Sequence, residues 1–311
     1  MIYLSVCIPT YNRCKQLKKS IESIICQKAF ISGDVEIVVS DNASTDGTQF
    51  MMEEYSKRYK KIIYSRNTEN EGVSKNIYKS LMLANGEYRK ISNDTFIYNS
   101  DSIDRIVKYI KIYIDNRPLL FFANSYLKDI PMIYVVKDVD SLLTKLSFQI
   151  TSDVLHGYWK DDIKFLLDLD ISKWFYTIRF VIERMFIKKS AVIVNERLLS
   201  IHEVNKKDLS YGLYNVFYIE QFNIYSEYLA RHIISKSTYD YLEKDILFGF
   251  FIEWVINQKI NKDKFIFNEY DDLDSLINIT YNCKDYYKHY RRKLGFQIFI
   301  RHIKNLLSCV K

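Results

Sequence analysis

The sequence predicts an α/β domain with a mostly parallel central sheet flanked by helices, followed by a helical C-terminal extension. Over roughly the first hundred residues, short apolar runs rich in β-branched residues alternate with segments whose apolar residues recur at helical spacing. Strands separated by single helices of about a dozen residues are typical of βαβ units, which build parallel sheets. From about residue 212 to residue 258 the pattern is almost wholly helical and rich in Tyr, Phe and Ile.

The individual elements follow in order along the chain. We expect strands at residues 3–8, 35–39, 61–64 and 86–91, and helices at 17–27, 48–59 and 73–84. After about residue 115 the alternation is less regular: 119–123, 133–136 and 192–194 favour strands, while 141–150 and 161–170 favour helices. No linker marks the end of the sheet domain. From the change in pattern we expect a sheet domain at residues 1–205 and a helical extension at residues 206–311.

The composition restricts the class of protein. Of the 311 residues, 48% are hydrophobic and only 8 are Gly and 3 are Pro, which favours a full core over disorder or turn-based repeats. The 5 cysteines are odd in number and lack metal-type spacing, as expected of reduced cytoplasmic thiols. No apolar run approaches the ~20 residues of a membrane-spanning helix. We therefore expect a cytoplasmic protein that is soluble or peripheral to a membrane.

The positive charge is concentrated near the C-terminus. The net charge is +7, and residues 284–311 interleave Lys and Arg with Leu, Ile and Phe around a single acid, Asp285. A basic amphipathic helix of this kind is typical of a segment on an anionic membrane surface, here the inner face of the plasma membrane. The alternative is a helix packed on its own domain with a solvated basic face. Because the basic residues cluster in one helix, we expect no nucleic-acid partner.

Polar loops at residues 9–13, 41–47 and 92–95 each follow a predicted strand. In a parallel sheet these loops share one edge, where ligands bind. Asp41 closes an apolar run, where a carboxylate is costly unless it accepts hydrogen bonds; a base edge such as that of uracil would donate one. Asp94 is placed to hold a divalent cation that bridges a diphosphate. Asp94 taken alone also fits a simpler role as a turn or helix cap, as do Ser44, Thr45 and Asp46 in the second loop.

Four motifs in order carry a family resemblance. The segments SVCIPTYNR, VEIVVSDNASTDGT, NTENEGVSKNIYKSLMLANGEY and SNDT, within residues 5–95, resemble the nucleotide-diphospho-sugar domain of glycosyltransferase family 2. The resemblance implies the GT-A fold and a nucleotide-sugar donor. Beyond about residue 205 it is weak. The aromatic helical segment there resembles the C-terminal extension of bacterial polysaccharide-type transferases, which implies support for an acceptor site or a homo-oligomer contact.

The resemblance also implies roles for individual residues. Donor-binding positions match Thr10, Tyr11, Asp41, Lys75, Asn76 and Asn93, with Asp41 matching the acid that accepts from the base. Asp94 matches the last carboxylate of the metal motif, which implies Mn²⁺ or Mg²⁺ as cofactor, and His202 lies where some relatives place a further ligand. This chain has Ser92 and Asn93 where the motif usually has further acids. We therefore expect weak metal affinity.

The catalytic base is less well defined by the sequence. Inverting members use a carboxylate to deprotonate the acceptor hydroxyl, and counting back from Lys188 places the family's acidic pair at Tyr176 and Thr177, neither of which serves. The nearby alternatives are Asp161, Asp162, Asp170 and Glu183. We favour Asp162 or Asp161, since the preceding His156, Tyr158 and Trp159 would suit an aromatic sugar platform. Ordinary exposed acids at a helix start are the alternative interpretation.

These features predict an inverting glycosyltransferase. It would move a sugar from a nucleotide-diphosphate donor, for which we expect UDP, to a lipid-linked or polymeric glycan acceptor in bacterial surface polysaccharide synthesis. The alternative is a degenerate homologue that binds the sugar nucleotide without turnover and acts as a partner or scaffold protein. The missing acids at Ser92 and Asn93 favour that alternative.

Overall fold

The computed structural model describes residues 1–170, 175–201 and 207–308. The chain divides into two units, the first formed by residues 1–142 and 150–203 and the second by residues 143–149 and 204–311. The sequence interpretation placed the boundary at residue 205 and assigned residues 143–149 to the sheet domain, whereas the structure groups them with the helical unit.

The first unit alternates strands and helices. Its strands are β1 (Leu4–Thr10), β2 (Val35–Asp41), β3 (Ile62–Arg66), β4 (Tyr88–Ile91), β5 (Phe96–Tyr98), β6 (Leu119–Phe122), β7 (Ile133–Val136), β8 (Gly157–Trp159), β9 (Ala191–Val194) and β10 (Leu199–Ile201). Its helices are α1 (Cys14–Ile25), α2 (Lys28–Ile31), α3 (Thr48–Arg58), α4 (Val73–Met82), α5 (Ser102–Tyr113), α6 (Val139–Leu146), whose last residues belong to the second unit, α7 (Ile163–Leu167) and α8 (Tyr176–Lys188).

The main sheet positions the site. Among the described residues its strand order is β3-β2-β1-β4-β8, with β1 to β4 parallel and β8 antiparallel to β4. Every residue of β2 is buried, as expected of a strand covered by helices on both faces. We call the edge where β1, β2 and β4 end the carboxyl edge, and the opposite edge, where they begin, the amino edge. The predicted GT-A arrangement of a mostly parallel sheet with flanking helices is confirmed.

A smaller mixed sheet extends this unit. Strand β9 pairs in parallel with β6 and antiparallel with β7. An antiparallel bridge between Phe121 and His156 joins β6 to the residue that precedes β8. Since β8 is itself antiparallel to β4, strands β4 and β6 run in the same direction, and their carboxyl ends face the same way.

Aromatic packing connects the two sheets. The Tyr88 ring packs edge to face on Trp159, with ring centroids 5.0 Å apart, and its hydroxyl donates to the carbonyl oxygen of Leu120 at 2.9 Å. Both rings are fully buried. Aromatic pairs of this geometry stabilise a fold by about 0.5–1.5 kcal/mol beyond the area they bury.

The second unit is mainly helical. Its elements are β11 (Lys207–Leu209), α9 (Gln221–Ala230), α10 (Lys236–Asp245), α11 (Ile252–Ile260), β12 (Phe265–Phe267), α12 (Leu273–Tyr281) and α13 (Tyr287–Ser308), with π-helical turns at Asn215–Glu220 and Ile246–Phe251 leading into α9 and α11. Its core contains the buried rings of Tyr225, Tyr228, Tyr281 and Tyr290. The buried Glu243 accepts from Lys284 at 2.6 Å and from Tyr218 at 3.2 Å, so the charge is paired.

Helix α13 has apolar residues on two faces. Tyr287, Tyr290 and Leu294 are buried, whereas Phe296 and Phe299 are 65% and 60% exposed. At 3.6 residues per turn the two sets lie on opposite sides of the helix. The helix therefore packs on its own unit, as the alternative interpretation held, and also leaves an apolar stripe in solvent. No helix in the described part of the chain is long and apolar enough to span a membrane.

Candidate functional site

The carboxyl edge brings three of the expected site residues together. Thr10 ends β1 directly opposite Asp41, the last residue of β2. Asp94 follows β4, the other neighbour of β1, and its carboxylate accepts from the Thr10 hydroxyl at 2.8 Å. Thr10 thus lies between the two acids that the sequence singled out.

The Asp94 carboxylate is buried and held by two donors. Thr10 donates to one oxygen, and the Arg13 guanidinium lies 3.3 Å from the other. Burial raises the pKa of Asp94, while Arg13 and Thr10 oppose that rise. Arg13 is 44% exposed, so the charge that balances Asp94 is itself in contact with solvent. The sequence interpretation did not select Arg13, although it stands in the same motif as Thr10.

The oxygen ligands at this edge suit a metal ion that binds together with the phosphates of a substrate. Within the described ranges, no group of three or more His, Cys, Asp or Glu side chains is arranged to hold a metal ion. Asp94 nevertheless offers a hard oxygen ligand, and Mg²⁺ is commonly bound by one carboxylate together with substrate phosphates. Arg13 would have to leave Asp94 for this to happen. His202, the second expected ligand, lies outside the described residues.

Asp41 organises the loop that follows β2. Its carboxylate accepts from the Ser44 backbone N–H at 2.9 Å and from the Tyr64 hydroxyl at 2.8 Å, and the Arg66 side chain lies 3.7 Å away. The Asp41 side chain has no exposed surface. A nucleotide base can therefore reach this carboxylate only if one of its present partners moves.

An asparagine network fixes the turn before α4. The Asn42 side-chain oxygen accepts from the Asn67 amide at 2.9 Å and from the Glu71 backbone N–H at 3.0 Å. Gly72 then adopts φ 87°, a conformation that favours glycine, and α4 begins at the next residue. Sequence inspection missed Asn42 because its role depends on a loop that is distant along the chain.

The remaining expected donor-binding residues differ in exposure. Tyr11, Lys75 and Asn93 are exposed at this edge. Asn76 is buried: it accepts from the Ser40 hydroxyl at 2.7 Å and donates to the Ser40 carbonyl oxygen at 3.0 Å. Asn76 thus holds α4 against β2, so its expected diphosphate contact would require these bonds to break.

The expected catalytic acids lie at the other edge of the sheet. Because β8 is antiparallel to β4 and Trp159 pairs with Tyr88, the residues after Trp159 continue to the amino edge. Asp162 is buried there and paired with Lys188 at 2.7 Å and with Arg184. Asp161 pairs with Arg117. The structure therefore does not place Asp161 or Asp162 where a donor sugar at the carboxyl edge could be attacked.

The other expected features near these acids also differ. His156, Tyr158 and Trp159 are all buried in the core, so they form no exposed sugar platform. Glu183 lies six positions after Thr177 in α8, about 9 Å along the helix axis toward the amino edge. The base thus has to be sought among other residues.

A comparison with protein families matches the segment that carries these loops. Residues 5–115 match the family model described as Glycosyl transferase family 2. The matched segment belongs to glycosyltransferase family 2. It contains the carboxyl-edge residues Thr10, Asp41 and Asp94.

Sequence relatives of this family 2 segment include bacterial proteins that are named as sugar transferases. The abequosyltransferase RfbV of Salmonella typhimurium is 42% identical over 108 residues, which cover 34% of this chain and 32% of the relative. The GalNAc(5)-diNAcBac-PP-undecaprenol beta-1,3-glucosyltransferase of Campylobacter jejuni is 36% identical over 92 residues, 29% of each chain. The chain thus spans about a third of the length of these relatives.

Solved structures of transferases share the fold beyond the family 2 segment. S. aureus TarS 1–349 in complex with UDP has a TM-score of 0.60 at 17% identity, covering 84% of this chain and 77% of TarS 1–349. The mannosyltransferase PcManGT of Pyrobaculum calidifontis, in complex with GDP-Man and Mn²⁺, has a TM-score of 0.52 at 16% identity, covering 98% and 87%. At these identities the likeness establishes the GT-A fold.

Proposed function

We propose that this protein is an inverting glycosyltransferase that moves a sugar from a nucleotide-diphosphate donor to a glycan acceptor in bacterial surface polysaccharide synthesis. The observation that carries the proposal is the grouping of Thr10, Asp41 and Asp94 at the carboxyl edge, inside the segment that matches family 2. Ligands of parallel α/β sheets bind at this edge. The names of the two sequence relatives support the class of acceptor.

In this proposal the donor lies across the ends of β1, β2 and β4. The exposed Tyr11 lies on the base side, and Asp41 holds the neighbouring loop in position through Ser44 and Tyr64. The diphosphate lies toward Asp94, near the exposed cations Arg13 and Lys75. Lys75 follows the N-terminus of α4, where the helix dipole favours anions.

A divalent cation, Mn²⁺ or Mg²⁺, would be held by Asp94 and would neutralise charge on the departing diphosphate. Because Arg13 competes for the same carboxylate, we expect the cation to bind together with the donor and weakly without it. The protein's own contribution is to fix the Asp94 carboxylate through Thr10 and to place positive side chains around the phosphates.

The acceptor side of the proposal involves the anionic membrane surface. We infer that the exposed stripe of α13, which includes Phe296, Phe299 and Ile303, lies on the inner face of the membrane, where a lipid-linked acceptor is found. The exposed basic residues Arg292, Lys293 and Lys304 flank this stripe and would contact acidic headgroups.

The membrane contact predicts a specific loss of binding. Phe296→Ser with Phe299→Ser should reduce co-sedimentation with anionic phospholipid vesicles severalfold and leave the melting temperature unchanged, because both rings are exposed. Ile279→Ser, which removes a 72% exposed apolar residue from α12, is the matched control. Equal vesicle binding by all three proteins would rule out this surface.

The second candidate is a binding protein without turnover. This candidate is favoured because the further acids that the metal motif usually has are absent beside Asp94. It is also favoured because Asp94 is paired with Arg13. Incubation with UDP-, GDP-, CDP- and dTDP-sugars and Mn²⁺, followed by chromatography of the released nucleotide, separates the two candidates. Slow donor hydrolysis or transfer supports the enzyme. Nucleotide binding without release from any donor supports the binding protein.

A further inference from the structure

A carboxylate other than the expected ones reaches the carboxyl edge. Strand β8 runs antiparallel to β4, with Gly157 opposite Lys90. The residues before Gly157 therefore continue in the direction in which β4 ends, toward Asp94. Asp153 lies in this preceding segment, and its side chain is partly exposed. The segment is fixed by the Lys90 ammonium group, which donates to the Val154 carbonyl oxygen, and by the Phe122 N–H, which donates to the Leu155 carbonyl oxygen at 2.6 Å.

The first turn of α8 meets the same segment. Helix α8 leads into β9, which runs parallel to β6, so the helix starts at the carboxyl edge and ends at the amino edge. The Lys188 contact with the Arg117 carbonyl oxygen, just before β6, confirms this direction. Thr177 in the first turn lies beside the Asp153 carboxylate. Thr177 is also one of the two positions where the family resemblance implies an acid.

The space beside Asp153 is polar and incompletely paired. Within the described ranges, the hydroxyl groups of Tyr158, Tyr176 and Thr177 are buried close to Asp153 and to one another, and none has a hydrogen-bond partner at ordinary distance and angle. Buried hydroxyl groups are normally paired with protein or with ordered water, so a cluster of unpaired ones marks a place where a hydroxylated molecule or water belongs. Asp153 itself is partly exposed, so a molecule in solvent can reach this residue.

We propose that Asp153 is the catalytic base of this transferase, a carboxylate supplied by the segment before β8 in place of the acid missing at Thr177. The inference rests on the proposed function. As the acceptor oxygen attacks the anomeric carbon of the donor sugar, its proton passes to the Asp153 carboxylate. The bond from that carbon to the diphosphate breaks, and the nucleoside diphosphate leaves with the bonding electrons. Asp153 then returns the proton to solvent.

The electrostatic environment of Asp153 suits this role. Burial raises its pKa to about 6, an effect that outweighs the opposing influence of the Thr177 hydroxyl. The titratable groups facing it are Tyr176 on α8 and Tyr158 on β8, and burial keeps the pKa of both far above neutrality. The Lys90 ammonium group on β4 also lies close to this segment, because it donates to the Val154 carbonyl oxygen next to Asp153 in the chain. A base is most effective when its pKa is near the working pH, because it is then ionised yet still strong enough to accept a proton.

The test compares turnover and donor binding in the full chain. Asp153→Asn should lower kcat by about 10²–10⁴-fold, the usual contribution of a positioned base, while the Kd for the nucleoside diphosphate stays within twofold of wild type. Asp115→Asn, which removes an exposed acid from the same unit, should keep full turnover. In wild type kcat should fall below about pH 6 as Asp153 is protonated. Asp153→Glu should recover part of the activity and shift this acidic limb.

The possible outcomes separate the two proposals. If wild type releases nucleotide from no donor in the panel, the proposed function fails before Asp153 is at issue. If wild type is active and Asp153→Asn retains its kcat, the assignment of the base is overturned. Loss of kcat accompanied by loss of nucleotide binding, or by an unchanged acidic limb in Asp153→Glu, would show a structural role and would also overturn it.

Discussion

Carboxylates at the two edges of the main sheet differ in the number of cationic side chains that pair with them. At the amino edge, Asp162 is held by two cations, Arg184 and Lys188, and Asp161 by Arg117. At the carboxyl edge, Asp94 has one half-exposed cation and a hydroxyl group, and the Thr177 hydroxyl lies beside Asp153. Burial raises the pKa of Asp94 and of Asp153. Asp41, the third acid of this edge, is held by Ser44, Tyr64 and Arg66.

This contrast separates structural acids from reactive ones. A buried carboxylate with a full set of cations has its charge neutralised and its oxygens occupied, so it has little left for a ligand, and its removal would leave the cations uncompensated. A buried carboxylate without such partners destabilises the fold and is available for a metal ion or a proton. Residues with perturbed pKa values of this kind cluster at functional sites.

The largest effect on stability is expected at the amino edge. Asp162→Ala leaves Arg184 and Lys188 without their shared partner and should lower the free energy of unfolding by about 3 kcal/mol. Asp161→Ala should cost less than about 1 kcal/mol, because its side chain is 73% exposed. Urea denaturation of both variants measures the difference. An Asp162→Ala protein with wild-type stability and no turnover would return this residue to a catalytic role.

A smaller and opposite effect is expected at Asp153. Its pKa is higher in the folded state than the usual 3.8, so folding disfavours the ionised form. That cost is absent below about pH 4, grows as the pH rises, and is complete above about pH 6. Asp153→Asn should therefore raise stability at pH 7.5 by roughly 1–3 kcal/mol, reduced from the full value by partial exposure, and should lose this gain at pH 4.

Thermal melts of Asp153→Asn and wild type at both pH values test this prediction. A pH-independent difference between the two proteins would mean that Asp153 is ordinarily solvated in the folded state. In that case its resemblance to Asp94, and with it the contrast between the two edges, would not hold.

The sequence predicted well which side chains meet at the carboxyl edge. Strands β1 to β4 are apolar runs separated by helices, and consecutive parallel strands end at one edge. Thr10, Asp41 and Asp94 could therefore be placed together before the structure was known. Local motifs carry this information, since each loop directly follows its own strand.

The position of Asp153 at the carboxyl edge could not be predicted in the same way. Strand β8 has only three residues, Gly157–Trp159, and nothing in the sequence shows that it runs antiparallel to β4. Its direction decides which flanking acids reach the carboxyl edge: Asp153 before it does, and Asp161 and Asp162 after it do not. The position of Thr177 beside Asp153 depends on contacts between segments that are distant in sequence, and no local pattern encodes them.

The same reason explains the C-terminal helix. The sequence shows where α13 is apolar and basic, but only packing shows that Tyr290 and Leu294 face the core while Phe296 and Phe299 face solvent. The packing interpretation therefore describes the buried face of this helix, and the membrane interpretation stays a proposal for its exposed face.

The most direct test of the account is donor binding at the carboxyl edge. The measurement is the thermal shift of the protein with UDP, GDP, CDP and dTDP, with and without Mn²⁺, for wild type, Asp94→Asn and the amino-edge control Asp161→Asn. One nucleotide at about 100 times its Kd should stabilise wild type and Asp161→Asn by roughly 2.7 kcal/mol. The part of this gain that depends on Mn²⁺ should be missing in Asp94→Asn. No shift with any nucleotide, or the same shift in all three proteins, would contradict the assignment of this edge as the donor site.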